Sequence, residues 1–156
     1  MPSTQLIRVL FVCTGNICRS PMAEAVFQHM VDQAGLSQFF QIASAATSTW
    51  EIGEPPHPGT QNVLRKQNIS LNPLKRAVQI TARDYETYHY ILAMDGENLR
   101  NMQRIPKVHR MLEFSPPGRP QDVPDPYYTG QFDYVYELIY EACSRLLEAI
   151  RKQENL

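Results

Sequence analysis

Cys13 and Arg19 stand with five residues between them in the run Cys13-Thr14-Gly15-Asn16-Ile17-Cys18-Arg19-Ser20. A thiol that can ionise and a planar, permanently charged guanidinium at the two ends of one short loop suit attack on phosphorus. Sulfur supplies the electron pair, and the guanidinium fork holds two phosphoryl oxygens as their charge redistributes. The setting of the loop adds to this. Leu6 to Val12 is rich in strand-favouring residues, while Ser20 reads as an N-cap, Pro21 as the first helical residue and Met22-Ala23-Glu24-Ala25-Val26 as helix. Cys13 is thus expected at the carboxyl end of a strand, facing a helix N-terminus. There, converging N–H groups and the helix dipole attract an anion and favour thiolate over thiol. Gly15 and Asn16 are expected to take the left-handed backbone that a tight cradle uses, and Ser20 can donate its hydroxyl to the sulfur.

Cysteine, arginine and this spacing also occur together by chance, so rival chemistries matter. No second cysteine pair or spaced histidine pair follows Cys13 and Cys18, as structural zinc would require. The loop also lacks the Gly-x4-Gly-Lys-Ser/Thr pattern of nucleotide phosphate loops. His29, His57, His89 and His109 are scattered without ligand spacing, so neither a metal nor another cofactor is expected. Tyr85, Tyr88 and Tyr90 read as packing or surface residues around the third strand.

The elements that must position the loop alternate. Strands are expected near 6–12, 40–46, 88–94 and 108–112, and helices near 21–34 (ended by Gly35) and 58–67. A short helix capped by Thr81 with Asp84, and a helical Glu97–Met102, surround the third strand. The last helix is the clearest: Phe132, Val135, Leu138, Ile139, Ala142, Leu146, Ala149 and Ile150 recur at helical spacing, with Cys143 beside them as a packing residue. This is an α/β pattern, and 156 residues fit one domain spanning 1–156. From Ser115 to Thr129 the chain carries five prolines and reads as a long, stiff loop of the kind that tends to be functional. In an open parallel sheet it can fold over the carboxyl ends of the strands, where Cys13, Ser44 and Asp95 are expected.

Val12 to Pro21 resembles the signature of the low-molecular-weight protein tyrosine phosphatases, and Asp125-Pro126-Tyr127-Tyr128 resembles their second motif. Ser44-Ala45-Ala46-Thr47 with Trp50, and Ile91-Leu92-Ala93-Met94-Asp95, extend the likeness over nearly the whole chain. The resemblance implies a three-layer αβα fold with a four-stranded parallel sheet in order 2-1-3-4, the flavodoxin-like topology. It also implies hydrolysis of phosphotyrosine in proteins, with Cys13 attacking phosphorus and Arg19 holding the phosphoryl group. The residues alone leave Asp122, Asp125 and Asp133 open as the acid a poor leaving group needs; the Asp-Pro-Tyr-Tyr match selects Asp125. By the same likeness the loop residues Thr14, Gly15, Asn16, Ile17, Cys18 and Ser20 hold the phosphate, Ser44 and Asn16 support the loop, and Trp50, Tyr127 and Tyr128 wall an aryl-binding cleft. Inorganic phosphate is then both product and inhibitor. Lys75 departs from the pattern, standing where a histidine of the supporting network is often found.

Three competing functions make different demands on the same residues. A thiol-dependent arsenate reductase would use Cys18 as a disulfide partner for Cys13 but needs a further cysteine pair, and residues 72 to 105 contain none. A phosphotyrosine-binding module without activity would lack the nucleophile or the acid, and a phosphocarrier cysteine would need neither Asp125 nor aromatic walls. A net charge of −1 provides no overall field for nucleic acid or an anionic membrane. With three cysteines, an odd number, and no signal or membrane-spanning pattern in the N-terminal stretch, a cytoplasmic protein is expected.

Overall fold

Strand β1 (Ile7–Cys13) is central, and its composition explains why. Apart from Arg8 it is apolar on both faces, so it needs cover on both sides: Val9, Phe11 and Cys13 pack into one core while Leu10 and Val12 enter another. The computed structural model describes residues 5–156, and the lead-in Met1–Thr4 lies outside the described residues. β2 (Phe40–Ala46) pairs along the whole of β1, Ile7 opposite Phe40 and Cys13 opposite Ala46. β3 (Tyr90–Ala93) lies on the other side of β1, and β4 (Val108–Arg110) is outermost. All pairings are parallel and the order is β2-β1-β3-β4, the flavodoxin-like arrangement expected.

Helices α1 (Arg19–Gln33), α2 (Pro58–Lys66) and α6 (Phe132–Glu154) cover one face of the sheet, and α3 (Ala82–Thr87) and α4 (Gly96–Arg100) the other. Phe27 on α1 meets Phe11 and Phe40 edge-on, with ring centroids 5.6 and 5.9 Å apart, locking α1 over β1 and β2. Burying one such phenylalanine stabilises the fold by about 1.5–3 kcal/mol. Because α1 follows directly from the loop after β1, that packing also fixes where the loop can lie.

The expected elements recur: β2 keeps its bounds, β1 shifts by one residue, β3, β4, α2 and α4 are shorter, and α1 starts two residues earlier. The Thr81 capping box forms as read: Thr81 Oγ1 accepts from Asp84 N, and Asp84 Oδ2 from Thr81 N. β4 stops at Arg110, because the Glu113 carboxylate accepts from Arg110 N at 3.1 Å and winds Met111–Phe114 into a 3₁₀ turn. On α6, Ala149 is exposed although the spacing put it on the buried stripe; the stripe drifts toward Cys143, Leu147 and Ile150 in the last turns. Cys143 is fully buried, as its packing role predicted.

The candidate active site

The loop from β1 to α1 turns its carbonyls outward. Cys13 O accepts from Thr47 N at 2.9 Å, Thr14 O from Ser48 N at 3.1 Å, and Ile17 O from His57 N at 2.7 Å. In a trans peptide the C=O and the following N–H point in opposite directions, so tying these carbonyls outward aims amides inward. Among the described residues nothing accepts from the N–H of Thr14, Gly15, Ile17 or Cys18, while those of Asn16 and Ser20 reach Cys13 Sγ at 3.3 and 3.4 Å. Unpaired amides gathered around a sulfur at the start of a fifteen-residue helix form an anion site.

Two details differ from expectation. Ser20 is not the N-cap: α1 starts at Arg19, Cys18 holds the cap position without a side-chain bond, and the Ser20 hydroxyl lies 3.0 Å from Cys13 Sγ. As the second helical residue, Ser20 is fully buried, with its hydroxyl on the sulfur and on the Asn16 amide. Asn16 is left-handed with φ 57°, whereas Gly15 is absent from the positive-φ positions. What Gly15 supplies is room, since a Cβ there would stand 3.3 Å from Glu51 Cγ.

The underside of the loop is a chain of directed hydrogen bonds. Asn16 Oδ1 accepts from Val78 N at 3.1 Å, which fixes its amide so that Nδ2 donates to Ser20 Oγ at 2.7 Å and to Ser44 Oγ at 2.9 Å. Ser44 Oγ in turn donates to Glu24 Oε1 at 2.5 Å. Ser20 already accepts from Asn16, and its own proton has Cys13 Sγ at 3.0 Å and, farther off, Ala45 O at 3.5 Å as acceptors. Lys75, the departure noted in the sequence, joins this network: its Nζ donates to Ser44 O at 3.0 Å and stands 3.6 Å from Glu24.

Arg19 is only 2% exposed and is held firmly through one of its nitrogens. Nη1 donates to Asp95 Oδ2 at 2.6 Å and to Val123 O at 2.9 Å, while Nη2 makes only long contacts, 3.4 Å to Thr14 Oγ1 and 3.5 Å to Asp125 Oδ2. One nitrogen anchors the side chain and the other is left for a ligand. Burial works against the charge, but Cys13, Asp95 and Asp125 together hold the guanidinium more firmly protonated than a free arginine.

The proline-rich loop is tied down at the same point. Val123 N donates to Met94 O at 2.9 Å while Val123 O takes Arg19, so the loop crosses the carboxyl end of β3 as expected. It ends in a short helix, α5 (Pro126–Thr129), capped by Asp125 Oδ1 accepting from Tyr127 N at 3.1 Å. The three aspartates now separate. Asp122 is engaged by Gly96 N and Arg110, Asp133 pairs with Lys66, and Asp125 lines the cavity.

That cavity, of about 240 Å³, is bounded by Cys13, Thr14, Gly15, Ile17, Cys18, Arg19, Glu51, Asp125 and the three aromatics Trp50, Tyr127 and Tyr128. Asn16, Ser20 and Ser44 lie behind it rather than on its wall. Trp50 and Tyr128 are 75% and 78% exposed, and Tyr127 meets Tyr128 edge-on at 5.1 Å. Burial above all, then Cys13 and Asp125, pushes the Cys18 thiol up to about 12 from an ordinary 9.0. Cys18 therefore stays protonated beside Cys13. The histidines are structural where partners are seen: His57 Nδ1 accepts from Gly59 N and its ring stacks on Phe132, His89 Nδ1 accepts from Arg8 N, and His109 pairs with Glu113. Among the described residues no three His, Cys, Asp or Glu side chains gather as a metal site requires.

Sequence reasoning missed the supports: Asp95 as anchor of Arg19, Glu24 beneath Ser44, Glu51 on the cavity wall and Asn98 on Thr14. Glu24 had a readable signal, since it stands four residues after Ser20 on one helix face. Asp95, already expected at the sheet edge, had half of one.

The structure thus brings a buried thiol, unpaired loop amides, an arginine and a loop carboxylate together at the carboxyl edge of a parallel sheet, a donor set suited to a phosphoryl group. Residues 8–156 match the family described as low molecular weight phosphotyrosine protein phosphatase. The low molecular weight protein-tyrosine-phosphatase YfkJ of Bacillus subtilis strain 168 is 42% identical over 97% of this chain and 100% of its own. Its crystal structure superposes with a TM-score of 0.93, covering 96% of this chain and 98% of that one. The protein PtpA of Staphylococcus epidermidis strain RP62A, named likewise, is 40% identical over 97% of this chain and 98% of its own. The chain belongs to the low molecular weight phosphotyrosine protein phosphatase family.

Proposed function

We propose that the protein hydrolyses phosphotyrosine in proteins, and other aryl phosphates, through a cysteinyl-phosphate intermediate. The observation that carries this reading is the convergence of Cys13, Arg19 and Asp125 on one cavity walled by aromatics. Cys13 thiolate attacks phosphorus, forming the S–P bond as the P–O bond to the tyrosine breaks. Protonated Asp125 gives its proton to the departing phenolate oxygen. Asp125 carboxylate then takes a proton from a water that attacks phosphorus, and the S–P bond breaks to release inorganic phosphate and the thiolate. Arg19 and the loop amides of Thr14, Gly15, Asn16, Ile17 and Cys18 hold the phosphoryl charge that a divalent ion would otherwise hold, so no metal enters the scheme. Trp50, Tyr127 and Tyr128 favour a long aryl phosphate over a shorter alkyl one. Product phosphate fits the same cradle and inhibits.

Residues 1–156 act in this reading as one catalytic domain in the cytoplasm, without nucleic-acid or membrane partners. Three free cysteines, a net charge of −1, and the fact that no described helix is long and apolar enough to cross a membrane support it. An arsenate reductase reading would need another thiol within reach of Cys18, and Cys143 is enclosed on α6 near Ala23 O. The test is hydrolysis of an aryl phosphate by the wild type and Cys13→Ser. Turnover by the wild type that persists in EDTA and vanishes in the folded variant is expected; a serine enzyme that still turns over would refute the intermediate.

A further inference from the structure

Thr14 sits in the phosphate loop, and its hydroxyl has an unusual set of partners. Arg19 Nη2 approaches Thr14 Oγ1 at 3.4 Å and Asn98 Nδ2 at 3.0 Å, and both nitrogens can only donate. A hydroxyl oxygen has two lone pairs and one proton. With two donors on the oxygen, the proton must point elsewhere, and among the described residues no acceptor takes it. Thr14 lines the cavity, and its oxygen lies within reach of Arg19 Nη2, the nitrogen that also approaches Asp125 Oδ2.

Asn98 has the features of a residue held for direction. It is fully buried, its N–H donates to Asp95 Oδ1 at 2.8 Å, and its side-chain Oδ1 has no hydrogen-bond partner. In this orientation the amide gives a proton to Thr14 and leaves a carbonyl oxygen under-used, the commoner of the two unpaired conditions. Thr14 itself is braced: its carbonyl takes both Ser48 N at 3.1 Å and Ser48 Oγ at 2.7 Å. The side chain is thereby held where Asn98 can reach it across 84 residues of sequence.

We propose that Thr14 Oγ–H is a directed hydrogen-bond donor to a phosphoryl oxygen, and that Asn98 is the positioning residue which, by occupying a lone pair of that oxygen, turns the proton into the cavity. This rests on the phosphatase reading for its consequence in turnover, but the bond to an anion is testable without turnover. Thr14→Val keeps the shape and removes the donor; Thr14→Ser keeps the donor. Asn98→Asp keeps the shape but replaces the donor with an acceptor that draws the Thr14 proton away from the cavity.

The experiment is calorimetric titration of each protein with inorganic phosphate, beside kcat and KM on an aryl phosphate, with thermal melts to confirm folding. A hydrogen bond to a charged group predicts that Thr14→Val and Asn98→Asp each weaken phosphate binding about tenfold to a hundredfold, while Thr14→Ser stays within about threefold. In the Thr14→Val background Asn98→Asp should cost clearly less than in the wild type, because the proton it redirects is already gone and only the repulsion between its carboxylate and the anion remains. Unchanged phosphate binding by Thr14→Val, or independent effects of the two substitutions, overturns the proposal. If only Asn98→Asp fails to fold, Thr14→Val against Thr14→Ser still decides. A wild type that binds phosphate through Thr14 but does not hydrolyse aryl phosphates would sink the phosphatase reading and leave the donor standing.

Discussion

Removing the carboxylate of Asp95 should disable the site from behind. Asp95 does two things at once: Oδ2 holds Arg19 Nη1 at 2.6 Å, and Oδ1 caps α4 by accepting from Asn98 N at 2.8 Å. Loss of an N-cap costs about 1 kcal/mol. Breaking a buried ion pair by deleting one partner costs about 3–5 kcal/mol, and because Asp125 and Cys13 remain as partial counter-charges for Arg19, about 2 kcal/mol is the figure expected here. Asp95→Ala should therefore lose about 3 kcal/mol and Asp95→Asn, which can still cap, about 2 kcal/mol. In a domain of this size that lowers Tm by about 6–12 °C and 4–8 °C respectively. Catalysis should fall further than stability suggests. With Val123 O as its one remaining firm Nη1 partner the guanidinium can turn toward Asp125, 3.5 Å from Nη2, and a displacement of about 1 Å can cost 10²-fold in rate. Thermal unfolding and aryl phosphate kinetics of the two variants are the assays. An Asp95→Asn protein that melts within 1 °C of wild type and keeps kcat/KM within about twofold would refute the argument that this pair holds the arginine in place.

Asp125→Asn should slow phosphotyrosine hydrolysis by about 10²–10⁴-fold and harm an ester with a very good leaving group less; equal losses on both would point away from proton donation. Stability should fall as pH rises above about 9. Complete burial raises the Cys143 thiol, and Cys18 is pushed from 9.0 to about 12, so the unfolded chain releases these protons first. Above the unfolded value, Cys143 alone contributes a loss of about 1.4 kcal/mol per pH unit, and urea midpoints of Cys143→Ala should fall less steeply from pH 8 to 11; parallel slopes would show that this thiol is not the source. Peroxide should oxidise Cys13 to a sulfenic acid that Cys18 captures as a disulfide with loss of water. A reductant should then restore the wild type better than Cys18→Ser, unless peptide mapping never finds the two linked.

The parts legible in the sequence were those whose signals are contiguous. Cys13 and Arg19 share one loop, β1 and α1 flank it within a few residues, and the Thr81 box spans one helical turn, so local chemistry was enough to find them. Asp125 was different: nothing local distinguished it from Asp122 or Asp133, and only the motif match did so. The contacts between Arg19 and Asp95 and between Thr14 and Asn98 cross 76 and 84 residues and exist only because β3 lies beside β1. Such pairings are products of topology, and periodicity does not encode them. Ser20 shows a local preference losing to a tertiary one, since a good N-cap residue gave its hydroxyl to a sulfur seven positions away.

The chemical and the aromatic residues of the cavity live under different constraints. Cys13 and Arg19 are each 2% exposed, and Arg19 is cross-braced to distant elements, so substitutions there larger than a change like Cys13→Ser disturb the folded state itself. Trp50, in the turn after β2, and Tyr128, in the short helix α5, are both exposed. Replacing either removes little buried area, and substitutions of that kind usually alter stability by less than about 0.5 kcal/mol. Selection can therefore recolour the mouth of this enzyme freely while its floor stays fixed. Paralogues with one reaction and many clients are the expected evolutionary outcome, and libraries randomised at Trp50, Tyr127 and Tyr128 should yield folded, active proteins at high frequency.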